Sequence, residues 1–425
     1  MQRLVVVGNG MAGVACLEQI LKHAPRFDIT VFGDETHVNY NRILLSSVLA
    51  GEKSADDIIL NPLEWYQQHG ITLRVGVRVT DVDPVARTVT AQDGSVTPYD
   101  TLLLATGSNA WMPPIAGLKK DGVFVFRSLD DTRALLERSG PGVKAVVIGG
   151  GLLGLEAARG LQVQQCDVTV LHLNSTLMER QLDPDGGNYL AGKMEDLGIK
   201  VLLGRTTTAI LGLDKVEGVA LSDDTCIDAD LVVVAAGIRP NVDLGYKAGL
   251  YINRGIVVND HMETSSPAIF AVGECVEHRG VCYGLVAPLI EQAKVLAATM
   301  TGNKGPTYTG TLEASKLKIM GVEVFSAGDW SGQNAEPVRF EDRALGIYKK
   351  LTVRNGRLAG VILVGDTGDS HKYMEWLRAD TDLSAQRRHL LFPPPSADTG
   401  MDVAQMSERT TVCGCVGVTK GDIIT

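Results

Sequence analysis

Leu4-Val5-Val6-Val7 is an unbroken apolar run that ends at Gly8, and from Val14 to Leu21 apolar residues recur at helical spacing. The chain therefore opens as strand, tight turn and helix, and Ile29-Thr30-Val31-Phe32 supplies a second strand. The same order returns 141 residues later: Ala145-Val146-Val147-Ile148 runs into Gly149, a helix is predicted over Leu152 to Leu161, and Val168 to Leu171 forms the next strand. A whole supersecondary unit is thus repeated. Continuous apolar strands alternating with helices predict parallel, doubly wound sheets covered on both faces, an α/β class. Near residue 311 the texture changes. Lys316 to Met320, Val322 to Phe325, Ala344 to Tyr348 and Leu358 to Val364 read as strands with little helix between them, which predicts a C-terminal α+β domain. Pro393-Pro394-Pro395-Ser396 then opens a polar stretch to 411 that reads as a linker.

The chain has 425 residues, enough for two to four domains, with 45% hydrophobic and 21% charged residues. Forty basic against fifty acidic residues give a net charge of −10, which repels phosphate backbones and argues against nucleic-acid binding. No apolar run approaches the ~18 residues of a membrane span, and the N-terminal apolar stretch is too short for a secretion signal. The expectation is a cytoplasmic protein with no membrane partner. Seven cysteines, an odd number scattered over the chain, fit reduced thiols better than a disulfide framework.

Gly8-Asn9-Gly10-Met11-Ala12-Gly13 matches G-x-G-x-x-G. In that motif the first glycine makes the turn, the second admits a pyrophosphate to the backbone and the third packs helix on strand. A helix N-terminus behind such a turn offers free amides and a favourable dipole to phosphate. Glu35 lies 22 residues past Gly13, where an acid holds a ribose, with Asp34 as the alternative. The second copy is Gly149-Gly150-Gly151-Leu152-Leu153-Gly154, with Glu156 two residues on. At the end of the strand that follows it stands His172 instead of an acid, so the charge that would reject a 2′-phosphate is missing and Arg180 could attract one. NADH and NADPH both stay open. Two dinucleotide folds imply two dinucleotides, and a nicotinamide paired with a flavin links a two-electron donor to one-electron carriers.

With these motifs in place the chain resembles the two-dinucleotide-binding-domain flavoproteins that include ferredoxin, rubredoxin and glutathione reductases. Tyr99 to Ser108, containing Ala105-Thr106-Gly107, resembles the segment that returns the chain from the first flavin lobe. Thr264 to Glu274, ending Val272-Gly273-Glu274, resembles the second flavin fingerprint, with Glu where the family usually has Asp. Ala235-Ala236-Gly237-Ile238-Arg239-Pro240 looks like the crossover back from the nicotinamide domain. Val38 to Ser46, Leu177 to Asp183, Ala271 to His278, Tyr283 to Gln292 and Lys316 to Asp329 are similar to the flavoprotein portion of bacterial assimilatory nitrite reductase large subunits. The related electron-transfer subunits of assimilatory nitrate reductases are similar too.

The resemblance implies an FAD domain over 1–110 and 236–310, an NAD(P)H domain over 111–235, the α+β domain over 311–392, and a linker over 393–411. It implies FAD on Gly8 to Gly13, Glu35, Thr106, Gly107, Gly237, Gly273 and Glu274, with Arg42 and Arg127 near its phosphates or ring. It implies NADH or NADPH on Gly149, Gly151, Leu152, Leu153, Gly154 and His172, and Glu156 as the residue that positions the nicotinamide. The redox cysteines of glutathione-reductase-type relatives are absent from 39–47, so electrons must leave the flavin by another route. Cys16 and Cys275 read as structural. In the tail, Val412-Cys413-Gly414-Cys415 resembles the start of a ferredoxin-like module in which Cys-x-Cys supplies half the ligands of a [2Fe-2S] cluster. By this reading 412–425 is the opening of a longer module, and the acceptor is an iron–sulfur domain or protein, with the oligomeric state left open and a homodimer as one option. The implied reaction is hydride transfer from NAD(P)H to FAD, then single electrons onward to reduce nitrite in the full enzyme. Competing readings are a nitrate-reductase electron-transfer subunit, a stand-alone ferredoxin or rubredoxin reductase, an NAD(P)H oxidase and a flavin redox sensor.

Overall fold

The computed structural model describes residues 1–22, 27–303, 305–319 and 321–392, and in the tail 407–408, 411–413 and 418–421. The first unit contains β1 (Gln2–Val7), α1 (Met11–Lys22), β2 (Phe27–Phe32), β3 (Thr72–Arg74) and β4 (Thr101–Leu104). The second contains β5 (Val123–Val125), α2 (Leu129–Arg138), β6 (Lys144–Ile148), α3 (Leu152–Val163), β7 (Asp167–Leu171), α4 (Pro184–Asp196), β8 (Lys200–Leu202) and β9 (Leu231–Val234). The chain then returns to the first unit with β10 (Ile269–Ala271) and α5 (Val286–Met300). Last come β11 (Ala314–Ile319), β12 (Val322–Gly328), β13 (Glu336–Asp342), β14 (Ile347–Arg354), β15 (Arg357–Val364) and α6 (Ser370–Ala379).

The first sheet has the order β10-β4-β1-β2-β3 and the second β5-β9-β6-β7-β8, and every pairing in both is parallel. Helices cover one face of the second sheet and the antiparallel strands within 207–228 the other, and in the first unit the strands within 79–98 share the core with α1, so β4 and β9 are apolar along nearly their whole length, and Leu102, Leu103, Val232 and Val233 are fully buried. In each unit a three-stranded antiparallel meander forms the crossover, 79–83, 88–91 and 96–98 leading into β4 in the first and 207–211, 218–221 and 226–228 leading into β9 in the second. A short antiparallel pair, Ser108–Ala110 with Ile238–Pro240, ties the two units where the chain passes between them.

The third sheet is antiparallel, in the order β11-β12-β15-β14-β13. The strand expected over Ala344 to Tyr348 begins only at Ile347, because Gly346, at φ +66°, sits in the turn that reverses the chain out of β13. One face of this sheet joins the second unit's core: Leu317, Val324, Tyr348, Ile362 and Val364 cluster with Leu190 and Met194 of α4. A buried ion pair reinforces the seam. Asp183 caps α4 by accepting from the Gly186 amide at 3.0 Å, and its other oxygen accepts from Lys350 Nζ and Tyr348 OH, each at 2.8 Å. Burial opposes that charge, yet the Lys350 ammonium, the Gly186 amide and the Tyr348 hydroxyl together hold the carboxyl below its usual range. Among the described residues no helix is long and apolar enough to cross a membrane.

Candidate functional site

Both glycine turns are built by the same contacts. Gly8 has φ +116°, and a Cβ there would stand 2.1 Å from the Ala105 carbonyl oxygen at the end of β4; Gly149 has φ +128° and would meet Ala235 O at 2.2 Å. A Cβ on Gly13 would stand 2.5 Å from Gly8 O, and one on Gly154 2.0 Å from Gly149 O, so these two glycines let helix and turn touch. Gly10 and Gly151 face open space, with no atom within 4 Å of an added Cβ. Glycine at those points leaves the backbone approachable from outside. No side chain caps α3, so its first-turn amides are available to an anion.

A cavity of about 1670 Å³ runs from the first turn to the second helix. Of the expected site residues it is lined by Gly8, Asn9, Gly10, Met11, Ala12, Glu35, Arg42, Thr106, Gly107, Arg127, Leu152, Leu153, Glu156 and Glu274. Gly13, Gly149, Gly151, Gly154, His172, Gly237 and Gly273 do not line it. Gly273 packs against Ala12, where a Cβ would meet Ala12 Cβ at 2.6 Å, and Gly237 lies in the crossover, its carbonyl accepting from Trp111 N at 2.9 Å. The Cys413 side chain and Cys415 lie outside the described residues.

Charge in the cavity is arranged in pairs. Glu35 accepts from Tyr40 OH at 2.6 Å and from Arg42, and Arg42 also donates to Arg127 O at 3.1 Å. Each carboxylate oxygen keeps a lone pair, so a ribose hydroxyl still has an acceptor there. Across the cavity Arg127 donates to Ser108 O at 2.9 Å, to Ser108 Oγ at 2.7 Å and to Glu274, while Ser108 Oγ donates to Glu274 at 2.6 Å. Asn9 Oδ1 accepts from Tyr66 OH at 2.7 Å, but the buried Asn9 Nδ2 has no partner. A buried donor left empty at a glycine turn fits an acceptor that arrives with a ligand.

The sequence profile of the pyridine nucleotide-disulphide oxidoreductase family matches residues 2–299. The chain belongs to this family. The profile of the rubredoxin NAD+ reductase C-terminal domain matches residues 314–381, the third sheet and α6. The nitrite reductase [NAD(P)H] of Bacillus subtilis is 47% identical over 426 residues, covering 100% of this chain and 53% of that protein. The assimilatory nitrate reductase electron transfer subunit of the same organism is 44% identical, covering 99% of this chain and 55% of that one. The chain thus spans about half the length of the curated relatives it matches. The structure of the covalent putidaredoxin reductase–putidaredoxin complex superimposes with a TM-score of 0.80 at 26% identity, covering 89% of this chain and 92% of that one.

For a member of the pyridine nucleotide-disulphide oxidoreductases, the cysteines among the described residues are placed unlike a redox pair. Cys16, Cys166 and Cys275 are buried and unbridged, and Cys275 Sγ is turned to the Val272 carbonyl at 3.3 Å. Glu156, partly buried in the cavity wall, has no hydrogen-bonding or ionic partner among the described residues, and burial pushes its carboxyl up to about 7. Sequence reasoning missed four contributions. Ser108 and Asn241 are local in neither motif: Asn241 lends its carbonyl to Thr106 Oγ1 at 2.7 Å. From α6, Ser370, His371, Met374, Glu375 and Arg378 close one side of the cavity, at helical spacing but without an apolar stripe to announce them. Glu179, one of the residues in the Leu177 to Asp183 string, is hydrogen-bonded to His172.

Proposed function

We propose that the chain is the NAD(P)H-oxidising flavoprotein module of an assimilatory nitrite reductase, delivering electrons to an iron–sulfur acceptor. The observation that carries this is the single cavity that begins on the first glycine turn and ends on α3 of the second, far larger than the roughly 300–1,000 Å³ of an ordinary small-molecule pocket. The orphaned Asn9 Nδ2, the open Cα faces of Gly10 and Gly151, and the cations Arg42 and Arg127 suit two pyrophosphates and their sugars. Gly8 to Gly13, Glu35, Arg42, Thr106, Arg127 and Glu274 would hold FAD, which when bound would supply the chemistry of accepting one hydride, an electron pair with its proton, and releasing the two electrons singly.

The protein's own work is alignment. The second turn and the uncapped α3 hold the coenzyme pyrophosphate, and Glu156 orients the nicotinamide end by accepting from its amide or ribose. Arg127, tied to Ser108 and Glu274, keeps the cavity's central polar wall rigid. Cys413 and Cys415 are half of a [2Fe-2S] ligand set completed elsewhere. We place the enzyme in the cytoplasm, beside the NAD(P)H supply, as a homodimer, an assembly tested by sedimentation.

Anaerobic mixing of the purified yellow protein with NADH and with NADPH tests the reading. Rapid loss of the flavin band near ~450 nm is expected. Absence of bound flavin, or no bleaching by either coenzyme, overturns it. The second reading, an electron-transfer subunit of assimilatory nitrate reductase, is favoured by the 44% identical relative of that name; it shares this half-reaction and differs in the acceptor.

A further inference from the structure

The strand after the second glycine turn ends at His172, and three observations show what the chain puts beside it. A Cβ on Gly150 would meet Leu177 Cδ2 at 2.5 Å and His172 Cγ at 2.8 Å, so glycine is what lets both side chains close on the turn. The imidazole is buried and fixed in direction. The Gly150 amide can only donate, at 3.0 Å to His172 Nδ1, so the neutral ring carries its proton on Nε2 and donates it to Glu179 Oε2 at 3.0 Å. The backbone brings Glu179 to this place: Met178, buried and at φ +51°, donates its amide to Gly150 O at 3.0 Å, and Gln181 and Leu182 close a turn on Met178 O.

We propose that Glu179 is the carboxylate that recognises the adenosine ribose of the coenzyme, with His172 as its positioning residue, and that it makes this chain select NADH over NADPH. The proposal rests on the reading of the second turn as a nicotinamide-dinucleotide site. His172 occupies one carboxylate oxygen, which leaves Oε1 to accept from the vicinal ribose hydroxyls. A 2′-phosphate, carrying close to two negative charges, would face like charge instead. Of the cations nearby, Arg205 donates its amide to His172 O at 2.9 Å, but its guanidinium is paired with Asp223. Arg180, exposed and next in sequence, is the element that opposes Glu179.

The test uses the flavin-loaded protein. Calorimetric titration with NAD+ and NADP+ is run beside steady-state kinetics with NADH and NADPH. Wild type is expected to bind NAD+ at least about tenfold more tightly than NADP+, and Glu179→Gln, which keeps the size and removes the charge, is expected to shrink that ratio about tenfold with flavin content unchanged. His172→Ala is expected to raise KM for NADH while leaving kcat unchanged, as a residue that only places a ribose ligand must. An unchanged ratio in Glu179→Gln overturns the proposal. So does a wild-type preference for NADP+ that disappears in Arg180→Gln. Binding of neither dinucleotide by a protein that retains flavin overturns instead the reading of the second turn on which the proposal stands.

Discussion

In the first turn Asn9 carries a side chain and the residue after the strand, Gly33, carries none; in the second, Gly150 and His172 exchange these roles. The positions correspond, since Gly8 N bonds Phe32 O and Gly149 N bonds Leu171 O, both at 2.8 Å. A Cβ on Gly33 would stand 3.0 Å from Asn9 Cβ, as one on Gly150 would collide with His172. The gap between turn and strand end admits one side chain. Whichever position keeps it decides whether the turn presents an amide to its ligand or an imidazole that carries a distant carboxylate. The backbone of the turn is built alike in both; the side chain beside it is not. A second contrast lies on the helices. Glu156 of α3 stands where α1, 141 residues earlier, has Ala15.

The sharpest break in the comparison is a methyl at the first glycine of either turn. Gly8→Ala and Gly149→Ala each force a contact near 2 Å with a carbonyl and strain a left-handed φ, and each should cost upward of about 4 kcal/mol locally. Gly8→Ala is expected to lose flavin; Gly149→Ala is expected to keep flavin and lose coenzyme binding. The flavin-to-protein absorbance ratio and a coenzyme titration separate the two, and identical losses in both would show that the units do not act independently.

Next in size is the brace between the second unit and the third sheet. Lys350→Met strands the Asp183 carboxylate in a buried seam and should lower stability by about 3–5 kcal/mol in urea unfolding. Adding Asp183→Asn should restore much of the loss. Smaller again is Glu156→Gln. With Glu156 near 7 against an ordinary 4.5, the folded chain keeps a proton that the unfolded chain has already lost between those values. Stability therefore falls as pH rises through that window and levels above about 7; the glutamine variant should match wild type near pH 4 and exceed it at pH 8 by about 2–3 kcal/mol. A melting series that shows no divergence with pH would remove Glu156 from the buried wall. The least effect is expected at Ser128, whose Oγ accepts from the Asp131 amide at 3.1 Å while Asp131 returns a bond to the Ser128 amide at 2.8 Å. Ser128→Ala should cost about 1 kcal/mol by thermal melting and leave both turns intact.

Sequence alone made the turns legible because the signal that announces them is local, three glycines within six residues between a strand and a helix, even though the carbonyls that require glycine there, Ala105 O and Ala235 O, lie far along the chain. The α/β class followed from the same runs. The Arg127, Ser108 and Glu274 cluster was not legible in that way, since its members lie 19 and 166 residues apart and meet only after the second unit has been threaded between them. His172 was visible as a missing acid, but its meaning depends on a loop that doubles back through Met178. Strand β13 escaped notice because it lies at a sheet edge and alternates charged with half-buried residues, a pattern a solvent loop would also show.

The two sheets also differ in when they can be completed. The second draws all its strands from 123–234, whereas the first waits for β10, which pairs in parallel with β4 at the sheet edge. At a synthesis rate of roughly 5–20 residues per second, β10 leaves the ribosome roughly 165 residues and about 10–30 seconds after β4. Over the last roughly 35 residues of that interval, once β9 has emerged, the nascent chain carries a finished second sheet inside a first sheet with one bare edge. On the proposed reading of the two turns, the site for the nicotinamide coenzyme would then be complete before the site for the flavin, and the edge of β4 is the strand left unpaired meanwhile.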